Sequence, residues 1–324
     1  MMWLTWRQHR TQLLITLGLL LALALMFLIS GAEASAFRAD HATLPPGDLQ
    51  AALNERYEKV YTVFGWLPIV APALVGAFWG APLLGGEYEH GTHQLAWTQS
   101  VPIRKWLAVK LVLLAAAVVM GGLALSAMVT LWRPIFGRQD VFSNVGVFNM
   151  VGLMPAAWWL FAFALGTAAG ALLRRTLPAM AVVVAAVSLV TFGLFSLSDH
   201  YAAPSRVVTS DYVSVIEQDA RLVDRAWLDP AGQETAEAPQ GVCPRGNSAR
   251  QQEAFESCLL DKGYRYVVYV HPADRFWRFQ LTEAVILLTG TLLLGGMTVR
   301  RTLSTLRYGG KRPMRLGGRL PTAA

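Results

Sequence analysis

VYTVFGWLPIVAPALVGAFWGAPLLGGEYEHGTHQLAWTQSVPIRKWLAVK, residues 60–110, opens as a long oily run, breaks into a polar cluster, and returns to an oily run through a basic pair. Residues 60–86 carry no charged side chain. A helix that crosses a bilayer needs about 20 mostly apolar residues. This stretch therefore reads as one membrane span, a polar turn, and the entry to another.

The same test, applied outward, finds further spans at 11–32, 111–132, 176–198 and 279–299, the last interrupted only by Glu283. Residues 141–173 form one uncharged run that is too long for a single span. Pro155 suits the first turn of a helix. The run is thus read as a span over 155–173, preceded by an interfacial approach over 141–154. The totals agree: 54% of the 324 residues are hydrophobic and 15% charged, against about 25% charged in soluble proteins. The expected fold is an all-α polytopic membrane protein with six transmembrane helices.

Six spans place both chain ends on one side, and the Lys and Arg distribution says which side. One face comprises the N-terminus, 85–110, 174–177 and 300–324, with 14 basic and 2 acidic residues, a net +12. The other comprises 33–59, 133–140 and 198–278, with 14 basic and 18 acidic residues, a net −4. Both termini are expected in the cytoplasm. The tail 300–324 has seven basic residues and no acids, and reads as a topology anchor on anionic lipid. Nucleic acid is not an expected partner, because the charge follows topology rather than one surface patch. The ASA at 34–36 looks like a signal-peptidase site, but the apolar stretch before it exceeds the roughly 7–15 residues of a signal h-region. The first span is read as uncleaved.

The domain reading follows. Residues 1–197 form a membrane domain with helices 1–5 and a cytoplasmic segment at 85–107. Residues 198–278 form an extracellular insertion, 279–299 the sixth span and 300–324 the tail. In the insertion, YRYVVYV (264–270) favours a strand by its β-branched and aromatic content. Residues 229–251, rich in Pro, Gly, Gln and Glu, read as a loop. Cys243 and Cys258 lie on the side expected to be oxidising, where a structural disulfide is favoured.

Within the spans, GAFWG (76–80) and GTAAG (166–170) place Gly76, Gly80, Gly166 and Gly170 at the spacing that lets helix backbones approach closely. Packing within one subunit and packing across a dimer both satisfy it. Glu283 is the ionisable group well inside a span and hence a candidate functional acid. It lies one turn from Phe279, near the expected outer interface, so a structural role, paired or hydrated, is the preferred reading. No chain of buried acids and histidines crosses the spans, which argues against a proton-coupled pump.

The polar cluster at 86–99 has two readings. His90 and His93, with Glu87 and Glu89 upstream, suggest a metal. However, the metalloprotease pattern is H-E-x-x-H, EHGTH has another order, and Gly91 disfavours a regular helix through the ligands. No metal site is expected. The alternative is an interfacial segment that docks a soluble partner, with Trp97 and Trp106 at headgroup level beside Arg104 and Lys105.

FWGAPLLGGEYEHGTHQLAWTQSVPIRKWLAVK (78–110) resembles the cytoplasmic coupling region of ABC-2 type transporter permeases, most of all the small actinobacterial ones. The resemblance extends to WLTWRQHR (3–10), FAFALGTAAGALLRRTLPAMA (161–181) and HPADRFWRFQ (271–280). It implies six spans, a homodimer or heterodimer of permeases, and a cytosolic ATP-binding cassette ATPase as partner. It also implies that Glu87, Glu89, Gly91 and Thr92, with Trp97 beyond them, belong to the ATPase-coupling segment. The insertion is large for the family, which leaves the substrate open. The sequence lacks G-x-x-x-x-G-K-[ST]; YGGK (308–311) has neither the first glycine nor the Ser/Thr. Without that phosphate-cradling loop, ATP hydrolysis falls to another chain. The expectation is therefore a non-enzymatic permease subunit of a plasma-membrane exporter, with no cofactor. A receptor or sensor with an extracellular ligand-binding unit is the rival reading.

Overall fold

A computed structural model describes residues 2–89, 103–136, 140–246 and 248–309. Six helices in it are long and apolar enough to cross a membrane, at Arg10–Asp40, Glu58–Glu89, Leu107–Phe136, Met154–Leu173, Thr176–His200 and Ala273–Ser304. Each contains one of the runs read from the sequence.

In chain order the elements are α1 (Met2–Asp40), α2 (Pro46–Arg56), and a second span made of α3 (Glu58–Val75), a π-helical turn (Gly76–Gly80) and α4 (Ala81–Glu89). Then come α5 (Ile103–Trp132), a single turn α6 (Val145–Phe148), α7 (Met154–Leu173) and α8 (Thr176–Leu197). The polar unit that follows contains β1 (Ser205–Thr209), α9 (Tyr212–Glu217), β2 (Arg221–Leu228), β3 (Glu234–Thr235), α10 (Ala249–Asp261) and β4 (Arg265–His271). The last element is α11 (Phe276–Gly309).

The span α7 is the centre of the helical body. It is apolar on every side, with Trp158, Trp159, Phe161 and Phe163 all buried, as expected of a helix enclosed by others. The outer helices instead present bare apolar faces. On α1, Leu14, Leu17, Leu21, Leu25 and Leu28 are exposed, and on α8, Leu177, Leu189 and Phe192. In water such surface would drive association; hydrocarbon removes the penalty.

The break in the second span has a local cause. Pro68 and Pro72 lie inside α3 and each removes a backbone donor. One turn later the ladder widens, and Ala81 N–H donates to Gly76 O, five residues back. At this turn the helix meets α7 without side chains between them. A Cβ on Gly80 would lie 2.6 Å from Phe163 O, and one on Gly166 would lie 2.2 Å from Gly76 O. A Cβ on Gly170 would lie 2.4 Å from Ala81 O. Gly76, Gly80 and Gly166 thus meet within one chain, and Gly170 meets the backbone at Ala81 and Gly85.

The polar unit is a four-stranded antiparallel sheet in the order β1-β4-β2-β3. The strand expected at 264–270 is β4, the central partner of β1 and β2. Trp227, Phe255, Leu259, Tyr266, Val268 and Val270 form the unit's own core, with α10 packed on one face. Cys243 and Cys258 are joined by a disulfide, which fastens the 229–248 stretch to α10.

Residues 33–59, which the sequence assigns only to a face, are largely helical: α1 continues to Asp40 and α2 follows, with Arg38 donating to Ile135 O at 2.8 Å and Arg56 over the Phe37 ring. Two expectations are corrected. Residues 141–154 are not merely an approach along a surface, because Phe142, Phe148 and Met150 are fully buried. Gln280 of α11 holds that segment, donating to Phe148 O at 3.0 Å and accepting from Leu153 N–H at 3.0 Å. Finally, the 229–251 stretch is not all loop, since α10 begins at Ala249 and β3 lies within it.

Candidate functional site

Two ends of the helical body can be distinguished. The sheet end carries the polar unit; the opposite, basic end carries Glu89, Ile103 and the 173–176 corner. Gly91, Thr92 and Trp97 of the expected coupling segment, and the weighed pair His90 and His93, lie outside the described residues. What the structure places is the entrance to that segment.

There α4 ends in EYE (87–89), and each acid reaches a different helix. Glu87 Oε1 accepts from Lys110 Nζ on α5 at 3.0 Å. The pair is mostly enclosed, with the lysine side chain 4% exposed and the glutamate 16%. Burial of a charge is tolerated only where it is paired, and this ion pair supplies each group with a partner of opposite charge. Lys110 also lies one helical face below Leu107, which packs with Leu84 and Ala171.

Glu89 Oε2 accepts from the backbone N–H of Thr176 at 3.1 Å. Thr176 is the first residue of α8, whose N-cap Arg175 makes no side-chain cap bond. The first turn of a helix leaves four N–H groups without intrahelical partners and carries partial positive charge. A carboxylate from another span serves that end here. Between the acids, Tyr88 lies under the guanidinium of Arg174, 5.4 Å from the ring centre. Arg174 closes α7 in the left-handed conformation, with φ 54°. Gly85 faces this corner, where a Cβ would lie in ordinary contact with Thr176 Cα at 3.4 Å.

The last turn before the 90–102 segment is therefore pinned to α5, to the α7–α8 corner and to α8. Among the described residues this corner holds no group of three metal-ligating side chains. Two carboxylates and one cation–ring contact tie α4 to three other helices. Lys110, Thr176, Arg174 and Tyr88 were not singled out from sequence. Only a faint signal existed for Lys110, a cation at the start of an oily run, because Arg104 and Lys105 stand close before it. None existed for Thr176, whose contribution is a backbone group.

At the sheet end, Glu283 is 1% exposed and sits one turn below Phe279. Its surroundings are protein, at the end of the sixth span nearest the sheet. His271 is fully buried at the same end. Its Nδ1 faces Arg275 Nη1 at 3.2 Å, and its Nε2 faces Asp199 O at 3.0 Å. A guanidinium only donates, so Nδ1 accepts and the proton sits on Nε2. Burial, followed by the charges of Arg275 and Arg221, holds this imidazole below its usual value.

Residues 17–197, which include five of the six candidate spans in whole or in large part, match the family described as ABC-2 membrane transporter related. No curated protein and no solved structure matches the chain. A multi-pass helical body with a matched segment covering more than half of its length settles the assignment: the chain belongs to the ABC-2 membrane transporter related family.

Proposed function

We propose that this chain is the permease subunit of an ATP-binding cassette exporter in the plasma membrane of an actinobacterium. A separate cytosolic ATPase drives it, and two permease chains assemble with two ATPase subunits. Both termini and the basic end face the cytoplasm, where the +12 balance of that face belongs. The sheet unit then lies outside, the compartment in which the Cys243–Cys258 disulfide persists. The ATPase docks on the 85–107 segment, with Glu87, Glu89, Gly91, Thr92 and Trp97 forming or supporting it. No covalent chemistry occurs in the permease.

One observation carries this reading: the turn that leads into 90–102 is bonded to α5 through Glu87 and Lys110 and to α8 through Glu89 and Thr176. A partner pushing on the segment then moves the second, third and fifth spans together. The test is purification of the tagged chain from native membranes, with mass spectrometry of what accompanies it and ATPase assay of the complex. A co-purifying P-loop ATPase, lost or uncoupled when Glu87 and Glu89 are replaced by Lys, is the expected result. A chain that emerges alone even after crosslinking overturns the proposal.

A further inference from the structure

The polar unit meets the helical body through a cluster of polar side chains that the coupling reading does not use. Arg221 of β2 is 2% exposed. Its Nε donates to Asp199 Oδ1 at 2.8 Å and its Nη2 to Ser198 Oγ, both just past the end of α8. Its Nη1 is buried and has no partner. The same is true of the Tyr201 hydroxyl and of Glu283 Oε1. These three groups come from β2, the α8–β1 connection and α11: Arg221 is bonded to Ser198 and Asp199, just before Tyr201, and the Tyr201 ring centre lies 5.6 Å from that of Phe279, one turn before Glu283.

We propose that this junction is a sealed water site, in which Glu283, Tyr201 and Arg221 share one or more bound water molecules. Buried polar atoms are almost always partnered, and ordered water is the usual partner where protein supplies none. The three atoms are an acceptor, a donor and a group that does both. A water molecule, with two donor and two acceptor directions, complements that set. A metal cation does not, because Arg221 stands at the site. An anion does not, because Glu283 does. An apolar guest would leave all three atoms unpaired. Phe279 packs in tilted contact against Tyr201 and His271 at this junction. The bound water links the three groups into one network, so that the sheet unit is fastened to the sixth span as well as to the end of the fifth.

The sign of one substitution separates a wet junction from a dry one. Removing a hydroxyl that is bonded to trapped water loses a satisfied hydrogen bond, whereas removing an orphaned hydroxyl relieves a penalty. Tyr201→Phe in the full chain, in detergent or nanodisc, is expected to lower Tm by about 2 °C. X-ray hydroxyl-radical footprinting of the unmodified chain supplies a second readout, because radicals formed from bound water label adjacent buried side chains. Tyr201 is expected to be labelled despite its burial. A Tm that holds or rises in the variant, or a Tyr201 that stays unlabelled, overturns the proposal.

Discussion

The carboxylate of Glu89, on the last described residue of the second span, accepts a hydrogen bond from the backbone N–H of Thr176, the first residue of α8, at 3.1 Å. A side chain on one span thereby acts as the helix cap of another. Glu89 is exposed, so solvent weakens the charge component. Glu89→Gln keeps an acceptor and is expected to change stability by less than ~0.5 kcal/mol, while Glu89→Ala costs about 0.5–1 kcal/mol, the low range for a lost cap. Thermal melts of the two variants check the order. If the coupling role holds, both variants lower ATP-driven transport by more than this stability change explains.

The Glu87–Lys110 pair behaves differently because it is enclosed. Lys110→Met removes this cation from a largely buried Glu87, and breaking a buried ion pair costs about 3–5 kcal/mol where burial is complete. With Glu87 still 16% exposed, a loss of about 2–3 kcal/mol is expected. The double variant Glu87→Gln with Lys110→Met is expected to recover most of it, since no uncompensated charge remains. A double-mutant cycle of Tm values measures this directly, and additive losses would show that the two groups do not act as a pair.

The contact between the second span and α7 depends on bare backbone. Gly166→Ala places a methyl group 2.2 Å from Gly76 O, and Gly170→Ala places one 2.4 Å from Ala81 O. Overpacking of this kind costs about 1–3 kcal/mol or more. Gly18 and Gly193 have nothing within 4 Å of a built Cβ, so Gly18→Ala and Gly193→Ala are the internal controls and are expected to be neutral or stabilising. Yield of monodisperse protein and Tm for the four variants separate the two classes.

The spans were legible because their signal is simple: length without charge, tested against the thickness of a bilayer. Elements whose cause is a contact were not. The 141–153 segment looks like an oily run, and only residues far along the chain show why it turns and buries Phe142 and Phe148: Asp219 accepts from Phe142 N–H and Ser143 N–H, and Gln280 donates to Phe148 O and Val151 O. The helix α10 did leave a trace, since Ser248 and Gln251 form a capping box that precedes Phe255 and Leu259 at helical spacing; the surrounding Pro, Gly and Gln content obscured it. At the basic end, the acids Glu87 and Glu89 could be read from sequence, but their partners could not. Lys110 is one cation among several near that segment, and Thr176 contributes only an N–H.

The junction beneath the sheet should respond to pH through His271. The folded chain holds this imidazole neutral, with its value below the ordinary 6.5, chiefly through burial and then through the charges of Arg275 and Arg221. The unfolded chain therefore binds the proton more tightly. Stability from this group is fully present above about pH 6.5 and is lost as pH falls toward and through the lowered folded value. The geometry gives the reason: a proton on Nδ1 would displace the bond from Arg275 Nη1 and set two cations 3.2 Å apart, within a site that already holds Arg221. The Tm of the full chain is expected to fall between pH 7.5 and pH 5.5. His271→Gln keeps a polar side chain but cannot titrate, so it should start lower at pH 7.5 and show a flatter profile over the same interval. An equal pH slope in both proteins would remove His271 as the source.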